Sequence, residues 1–565
     1  MIIPALANTI WWPIGAMYLA AVARLLSKTD TSVRDFCYAA AAAAICYFVF
    51  LVLFLRPGLA ALCVFSIEVG LIQLSALRFS RTGSNLHAYD LAYFLSDLPA
   101  FGYWLKTDRE TASSLFPKVA ALVALPIMMG WLEPPMSDRL PSALCLVLAI
   151  IAFVIARSFV KPWHYWEKFG RPIHFAQLLQ TVFEAIKASR GGGVLAVTNE
   201  TDLLPSIVEG LAASEQTPGP TIILILNEST FAPWIYDRNE LDPAFNQFFR
   251  SDDGRMHGLR ADVFGGPTWA TEFSILTGIP SSCYGPFASH IYQWARNRIN
   301  HSLPKYLKHH GYSTGLIYPS DKQFIRSDRF YDSLGFDEIR DKGMLNAKND
   351  REPDSFYFDH AISWVKSHYA QHTNPLFLYI MTSSNHYPHT RPLIEREGSL
   401  ILSNTAAPEG EWDEYLIRLR RSCRDYRAFR TQLNELSPSR KFLIAHFGDH
   451  QPYFTRLPGK DEWRGWPQDC LPKQETAYQT YFSVQGLHFE PKLETTLPET
   501  IEAAYLSTVL LAAAGIPLDE IFQVRQELMK CHNGKLFFAD GPEKHGMIAA
   551  QLNGLMVKRG HIVPH

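Results

Sequence analysis

The chain has 565 residues, 53 of them basic and 55 acidic, with a formal net charge of -2 and a hydrophobic share of 47%. That length exceeds one ordinary core and suggests roughly three or four domain equivalents. The near balance of charge by itself excludes little, but no basic block resembles a nucleic-acid footprint, so no nucleic-acid partner is expected.

Composition divides the chain into residues 1–162, dominated by apolar runs, a connector over 163–200, and a globular part over 201–565. Five runs, Asn8–Leu26, Phe36–Leu55, Leu59–Leu77, Leu115–Leu132 and Ala143–Val160, predict transmembrane helices. Each is close to the ~20 residues that cross a ~30 Å hydrocarbon layer, and none has the polar face that a soluble amphipathic helix needs. Trp11, Trp12, Trp131 and Trp163 stand at span ends, where interfacial aromatics belong. The first ten residues lack a basic n-region, so the first span is expected to be retained rather than cleaved. Tyr89–Leu105 is aromatic, lightly charged and interrupted by Pro99; it is expected to lie in the interface or to re-enter the membrane.

With five spans and a cytoplasmic N-terminus, Lys28, Arg34, Arg81, Lys106 and Arg109 fall outside, opposite to the positive-inside bias. The chemistry of the globular part argues for that orientation nonetheless. In the connector, Phe175–Ala188 has helical character before a break at Gly191-Gly192-Gly193, and it is expected to run along the membrane surface.

The globular part alternates strand signals (Thr221–Leu226, Gly258–Val263, Ser313–Tyr318, Pro375–Met381, Lys441–Ala445, Tyr478–Val484) with helices such as Ser302–His310, Ser355–Tyr369 and Trp412–Leu436. This order predicts an α/β domain with a central, mostly parallel sheet covered on both faces. In such sheets ligands bind outside the carboxyl ends of the strands, and that is where Asn227-Glu228, Asn385-His386 and Gly448-Asp449-His450 stand. Of the cysteines, Cys37, Cys46, Cys63 and Cys145 lie in the spans. Cys283, Cys423, Cys470 and Cys531 permit up to two disulfides and have no metal-type C-x-x-C spacing.

Glu228, Asp449 and His450 together offer two carboxylates and an imidazole, a donor set suited to one divalent ion, Mn2+ or Zn2+. Singly, a strand-end carboxylate is more often a helix cap or loop anchor. Gly448 and Pro452 frame Asp449 and His450 in a sharp turn. Thr268, in the run Gly265-Gly266-Pro267-Thr268-Trp269, opens a predicted helix through Leu276. A hydroxyl there serves as an N-cap, or as a nucleophile toward phosphorus while the helix terminus holds phosphate oxygens. His386 is either a loop histidine or a proton donor and acceptor beside a phosphoryl site. Arg326 has the planar fork of a phosphate clamp.

The order of these clusters resembles that of the alkaline phosphatase and sulfatase superfamily, and within it the membrane-anchored lipoteichoic acid synthase-like phosphoglycerol transferases. Asp354–Trp364 and Leu334-Gly335-Phe336-Asp337 also look like family segments. The resemblance implies Glu228, Thr268, Asp449 and His450 as metal ligands, Thr268 also as nucleophile, His386 as catalytic, and Asn385, His386 and Arg326 as substrate-binding. It implies a phospholipid donor, an envelope glycan acceptor, and a multi-pass protein of the cell inner membrane with its catalytic domain extracytoplasmic. A phosphoethanolamine transferase acting on lipid A or a glycan, and a membrane-anchored phosphodiesterase, are the alternatives. The spacing between Phe324 and Arg326 departs from the family pattern, and the Cys-x-Pro-x-Arg signature of sulfatases is absent, with Thr268 in its place.

Overall fold

A computed structural model describes residues 10–30, 32–82, 85–91, 109–160, 175–189, 195–199, 219–236, 243–323, 326–396, 398–403, 405, 407, 410–436, 439–455, 476–538 and 545–563. The chain forms two compact units, one taking in Met1–Gly192 and the other Gly193–Gly459 and Gln468–His565.

The first unit holds helices α1 (Trp11–Thr29), α2 (Val33–Phe54), α3 (Pro57–Thr82), α4 (Arg109–Leu132), α5 (Leu140–Phe159) and α6 (Phe175–Ser189). Acidic and hydroxyl side chains from neighbouring segments start three of them. Ser32 Oγ accepts the Asp35 N–H at the head of α2, the Glu133 carboxylate takes the Gly58 and Leu59 N–H groups of α3, and Asp30 takes those of Phe175 and Ala176. These satisfy donors that a helix cannot satisfy itself.

Among the described residues of this unit, four helices, α2 to α5, are long and apolar enough to cross a membrane. The described part of the fifth expected span, Asn8–Leu26, is helical too, as α1, but α1 is not among those four. Trp131, Phe116 and Leu148 are 86%, 76% and 65% exposed; apolar surface of this kind suits lipid better than water. The aromatic segment Tyr89–Leu105 lies outside the described residues from 92 onward, as do Trp163 and Gly191-Gly192-Gly193.

The second unit contains an eight-stranded sheet of order β10-β2-β9-β8-β1-β5-β3-β4 and a β6–β7 hairpin. The strands are β1 (Thr221–Asn227), β2 (His257–Arg260), β3 (Ser313–Ile317), β4 (Glu338–Arg340), β5 (Leu376–Met381), β6 (Leu393–Arg396), β7 (Ser399–Leu402), β8 (Phe442–Gly448), β9 (Gln479–Leu487) and β10 (Thr500–Glu502). The helices are α7 (Pro243–Phe249), α8 (Thr268–Thr277), α9 (Ile291–Ala295), α10 (Leu303–His309), α11 (Ser327–Leu334), α12 (Asp354–Gln371), α13 (Glu411–Leu436), α14 (Leu506–Ala514), α15 (Glu520–Cys531) and α16 (Met547–Lys558).

β1, β5 and β8 are buried along their whole length, which is why they read as unbroken apolar runs rather than alternating ones. Ile223, Leu378 and Ile444 face a core shared with Trp364 of α12 and Tyr415 and Phe429 of α13. Alternation sends Tyr379 to the opposite face, where its hydroxyl meets Glu272 of α8. The sheet is mostly parallel, as expected, but β9 runs antiparallel to both β2 and β8.

β8 also continues past Ala445, because its ladder persists on both sides, with Phe447 opposite Leu226 on β1 and Phe482 on β9. His446 is therefore a core residue. Its Nδ1 lies 3.1 Å from the Tyr481 hydroxyl, and burial brings its pKa down to about 3, keeping the ring neutral. Cys283, Cys423 and Cys531 are free thiols; Cys470 lies outside the described residues.

Candidate active site and metal centre

Parallel pairing of β1 with β8 sets Asn227 against Gly448, so the residues that leave the two strands, Glu228 and Asp449-His450, emerge side by side. This close approach requires glycine at 448, since a Cβ there would run into the carbonyl oxygen of Thr230. Ligand atoms of Glu228, Asp449 and His450 all lie within 4.8 Å of one another, and all three residues are buried.

Thr268 is the first residue of α8, with Pro267 as the residue before it and no side-chain cap at that end. Its Oγ1 instead donates to Glu228 Oε2 at 3.1 Å. The capping alternative thus gives way to a hydroxyl aimed at the carboxylate cluster from the positive end of a helix. Below it on the same helix, Glu272 accepts hydrogen bonds from the hydroxyls of Tyr292 and Tyr331. Burial pushes the Glu272 pKa up to about 7. These bonds tie α8 to α9 and α11 and hold Thr268 in place.

The cluster fits a divalent cation on its own geometry. His450 Nδ1 lies 3.0 Å from the Gln451 carbonyl oxygen, which only accepts, so Nδ1 carries the proton. In the neutral ring, Nε2 then turns a lone pair toward Asp449 Oδ2 at 3.2 Å and Glu228 Oε1 at 3.5 Å. Acceptors facing acceptors repel unless a cation sits among them. Asp449 Oδ2 is buried without a hydrogen-bond partner, and the Asp449 pKa is raised by burial and then by the Glu228 charge. Oxygen and nitrogen donors without thiolate suit Mn2+ and Zn2+ alike.

Ser229 was not singled out in the sequence, yet it touches both carboxylates. Its N–H donates to Asp449 Oδ1 at 2.7 Å and its Oγ to Glu228 Oε1 at 2.8 Å. It adopts a left-handed backbone, with φ of 50°, uncommon for a residue with a Cβ. Support of this sort orients metal ligands, and a serine after a strand carries no sequence signal for it.

The other expected site residues are placed differently. His386 follows β5, the neighbour of β1; it is exposed, and its Nδ1 lies 2.8 Å from the Tyr387 carbonyl oxygen. Asn385 is interior rather than solvent-facing, with Nδ2 donating to Thr230 Oγ1 at 3.1 Å and Ser422 Oγ at 3.3 Å. Thr230 Oγ1 in turn donates to the Glu228 carbonyl, so Asn385 braces the β1 and β5 loops against each other. Arg326 stands at the head of α11 in a left-handed conformation, φ 56°; residues 324–325 before it are outside the described ones.

Ser384 donates to Asp354 Oδ1 at 2.7 Å, and burial raises the Asp354 pKa from 3.8 to about 6. The folded state therefore holds this proton more tightly than the unfolded state does. Its stabilising contribution, at most about 3 kcal/mol, is complete below about pH 4 and is lost as pH rises through about 6. Thermal unfolding of Asp354→Asn between pH 4 and 6 is expected to show a flatter pH dependence than the parent; parallel curves would refute the assignment.

Residues 220–469 match the family model described as Sulfatase. A protein of Haemophilus influenzae described as uncharacterized is 24% identical over 479 residues, which cover 80% of this chain and 84% of that one. Among solved structures, the phosphoglycerol transferase GacH of Streptococcus pyogenes, in complex with sn-glycerol-1-phosphate, is 16% identical, with TM-score 0.46, over 62% of this chain and 91% of its own. The lipoteichoic acid synthase LtaP of Listeria monocytogenes is 14% identical, with TM-score 0.40, over 59% of this chain and 78% of its own. Over residues 220–469, most of its second unit, the chain is thus similar to the sulfatase family.

Proposed function

We propose that this protein is a metal-dependent phosphotransferase that moves a phospholipid-derived head group, phosphoglycerol foremost, onto an envelope glycan through a phosphothreonine at Thr268. One observation carries the reading: the Thr268 hydroxyl stands at a helix N-terminus 3.1 Å from Glu228, within a carboxylate and imidazole cluster. The choice of phosphoglycerol rests on the motif order described above.

In this reading Thr268 Oγ1 passes its proton to Glu228 Oε2, at which it already points, and forms a bond to the donor phosphorus. The bond from phosphorus to the diacylglycerol oxygen breaks, and His386 supplies the proton to that oxygen. An acceptor hydroxyl then attacks the same phosphorus, giving its proton to His386, and the bond to Thr268 breaks as Thr268 Oγ1 takes its proton back from Glu228. The divalent ion held by Glu228, Thr268, Asp449 and His450 supplies Lewis-acid stabilisation of the phosphoryl charge and favours the alkoxide form of the nucleophile. Arg326 and Asn385 belong to the substrate side of the site.

Five spans, with α1 as the first, would place the catalytic domain outside the cell inner membrane, beside lipid head groups and envelope glycans. Mass spectrometry of envelope glycans from cells with and without the protein tests the transfer. Glycan phosphoglycerol that disappears with the protein supports it. Phosphoethanolamine in its place shifts the donor class, and unchanged glycans overturn transfer.

A further inference from the structure

We propose that Arg418 is a positioning residue that holds the loop carrying His386 in register with the phosphoryl site. The proposal rests on the reading of His386 as the proton donor and acceptor, and it begins from how little else holds that residue. His386 is exposed, so packing does not fix its ring. The segment from His386 to Arg391 has neither a ladder nor helical turns of its own, so its backbone must find partners elsewhere.

Arg418 supplies them from α13. Its side chain is fully buried. Nη1 donates to the His386 carbonyl at 3.0 Å, and Nη2 to those of Pro388 at 2.9 Å and Arg391 at 3.0 Å. Nε donates to Glu414 Oε1 at 2.6 Å, and that same oxygen accepts the Leu393 N–H at 2.8 Å. A single ion pair on one helix thus fixes the backbone at four points between His386 and the start of β6.

Burying a charge is costly, and a well-packed apolar side chain would stabilise a core as well or better. What an apolar residue, or a lysine, lacks is the planar fork that reaches several fixed acceptors at once. The guanidinium therefore gives the loop a defined geometry rather than extra stability.

The free side of the loop is held in the same way. Arg351 Nη2 donates to the Tyr387 carbonyl at 2.9 Å, the oxygen that also accepts from His386 Nδ1. With Nδ1 so engaged, Nε2 is the atom of His386 left for proton transfer. His389, fully buried in the same loop, is kept neutral because burial, reinforced by Arg418, lowers its pKa well below the usual value. The loop thus puts no second positive charge against the guanidinium.

A double-mutant cycle on the full-length protein in detergent tests the assignment, with phosphatidylglycerol micelles as the probe and diacylglycerol release as the readout. Arg418→Lys is expected to lower kcat by about 10- to 100-fold, the cost of a displacement of roughly 1 Å, with KM for the lipid changed less than about twofold. In the His386→Ala background the same substitution is expected to change residual turnover by less than about twofold. Costs that multiply in the double mutant would mean that Arg418 acts independently of His386, and the proposal falls. If Arg418→Lys does not fold, Arg351→Lys, on the solvent side, is expected to show a smaller loss with the same non-additivity, and multiplicative costs there overturn the proposal equally. Full turnover in His386→Ala alone overturns the proton-transfer reading, and the positioning role with it.

Discussion

Replacing Thr268 by alanine is expected to lower turnover by about three orders of magnitude or more, the usual loss when the attacking group itself is removed. The fold should survive, because the hydroxyl caps no helix: α8 has no side-chain cap, and the bond removed is the one to Glu228. The melting temperature of the variant should therefore stay within the range of an ordinary surface substitution, about 0.5 kcal/mol in stability. Thr268→Ser, which keeps the oxygen, should retain part of the activity. A phosphate adduct on the peptide containing Thr268, caught by mass spectrometry after brief exposure to lipid donor, is the direct positive sign. Turnover in the alanine variant close to that of the parent would remove Thr268 from the mechanism.

The second large effect concerns the ion. Asp449→Asn is expected to weaken metal binding by more than the ~10- to 100-fold that loss of an outer-shell partner costs, since it removes a ligand charge. Elemental analysis of the purified variant should find most of the ion gone, and full occupancy would place the ligands elsewhere. The stability change should reverse sign with the metal. In chelator, two buried carboxylates face each other and burial and the Glu228 charge raise the Asp449 pKa, so Asp449→Asn relieves repulsion and should melt no lower than the parent. With Mn2+ or Zn2+ added, the parent gains the binding free energy and the variant does not. A variant that melts lower than the parent in chelator would contradict the repulsion argument.

What could be read along the chain was whatever burial writes into local order. β1, β5 and β8 are covered on both faces, so each appears as an apolar run, and the residues just beyond two of them, Glu228 after β1 and Asp449-His450 after β8, come together in the candidate metal site. Four apolar helices stand out for the same reason, because a stretch that meets lipid on several sides has no polar face. Where identity of a partner matters rather than degree of burial, the sequence is silent. Whether Thr268 caps its helix or faces Glu228 depends on a residue 40 positions away. Asn385 turns inward because Thr230 and Ser422 meet it there, and β8 runs on to Gly448 because β1 and β9 continue beside it. Ser229 and Arg418 do their holding through hydrogen bonds to backbone and carboxylate atoms brought near only by the sheet and by α13. Hydrophobic periodicity is a property of each segment by itself, whereas a hydrogen-bonded site is a property of segments brought together, and only the tertiary structure specifies it.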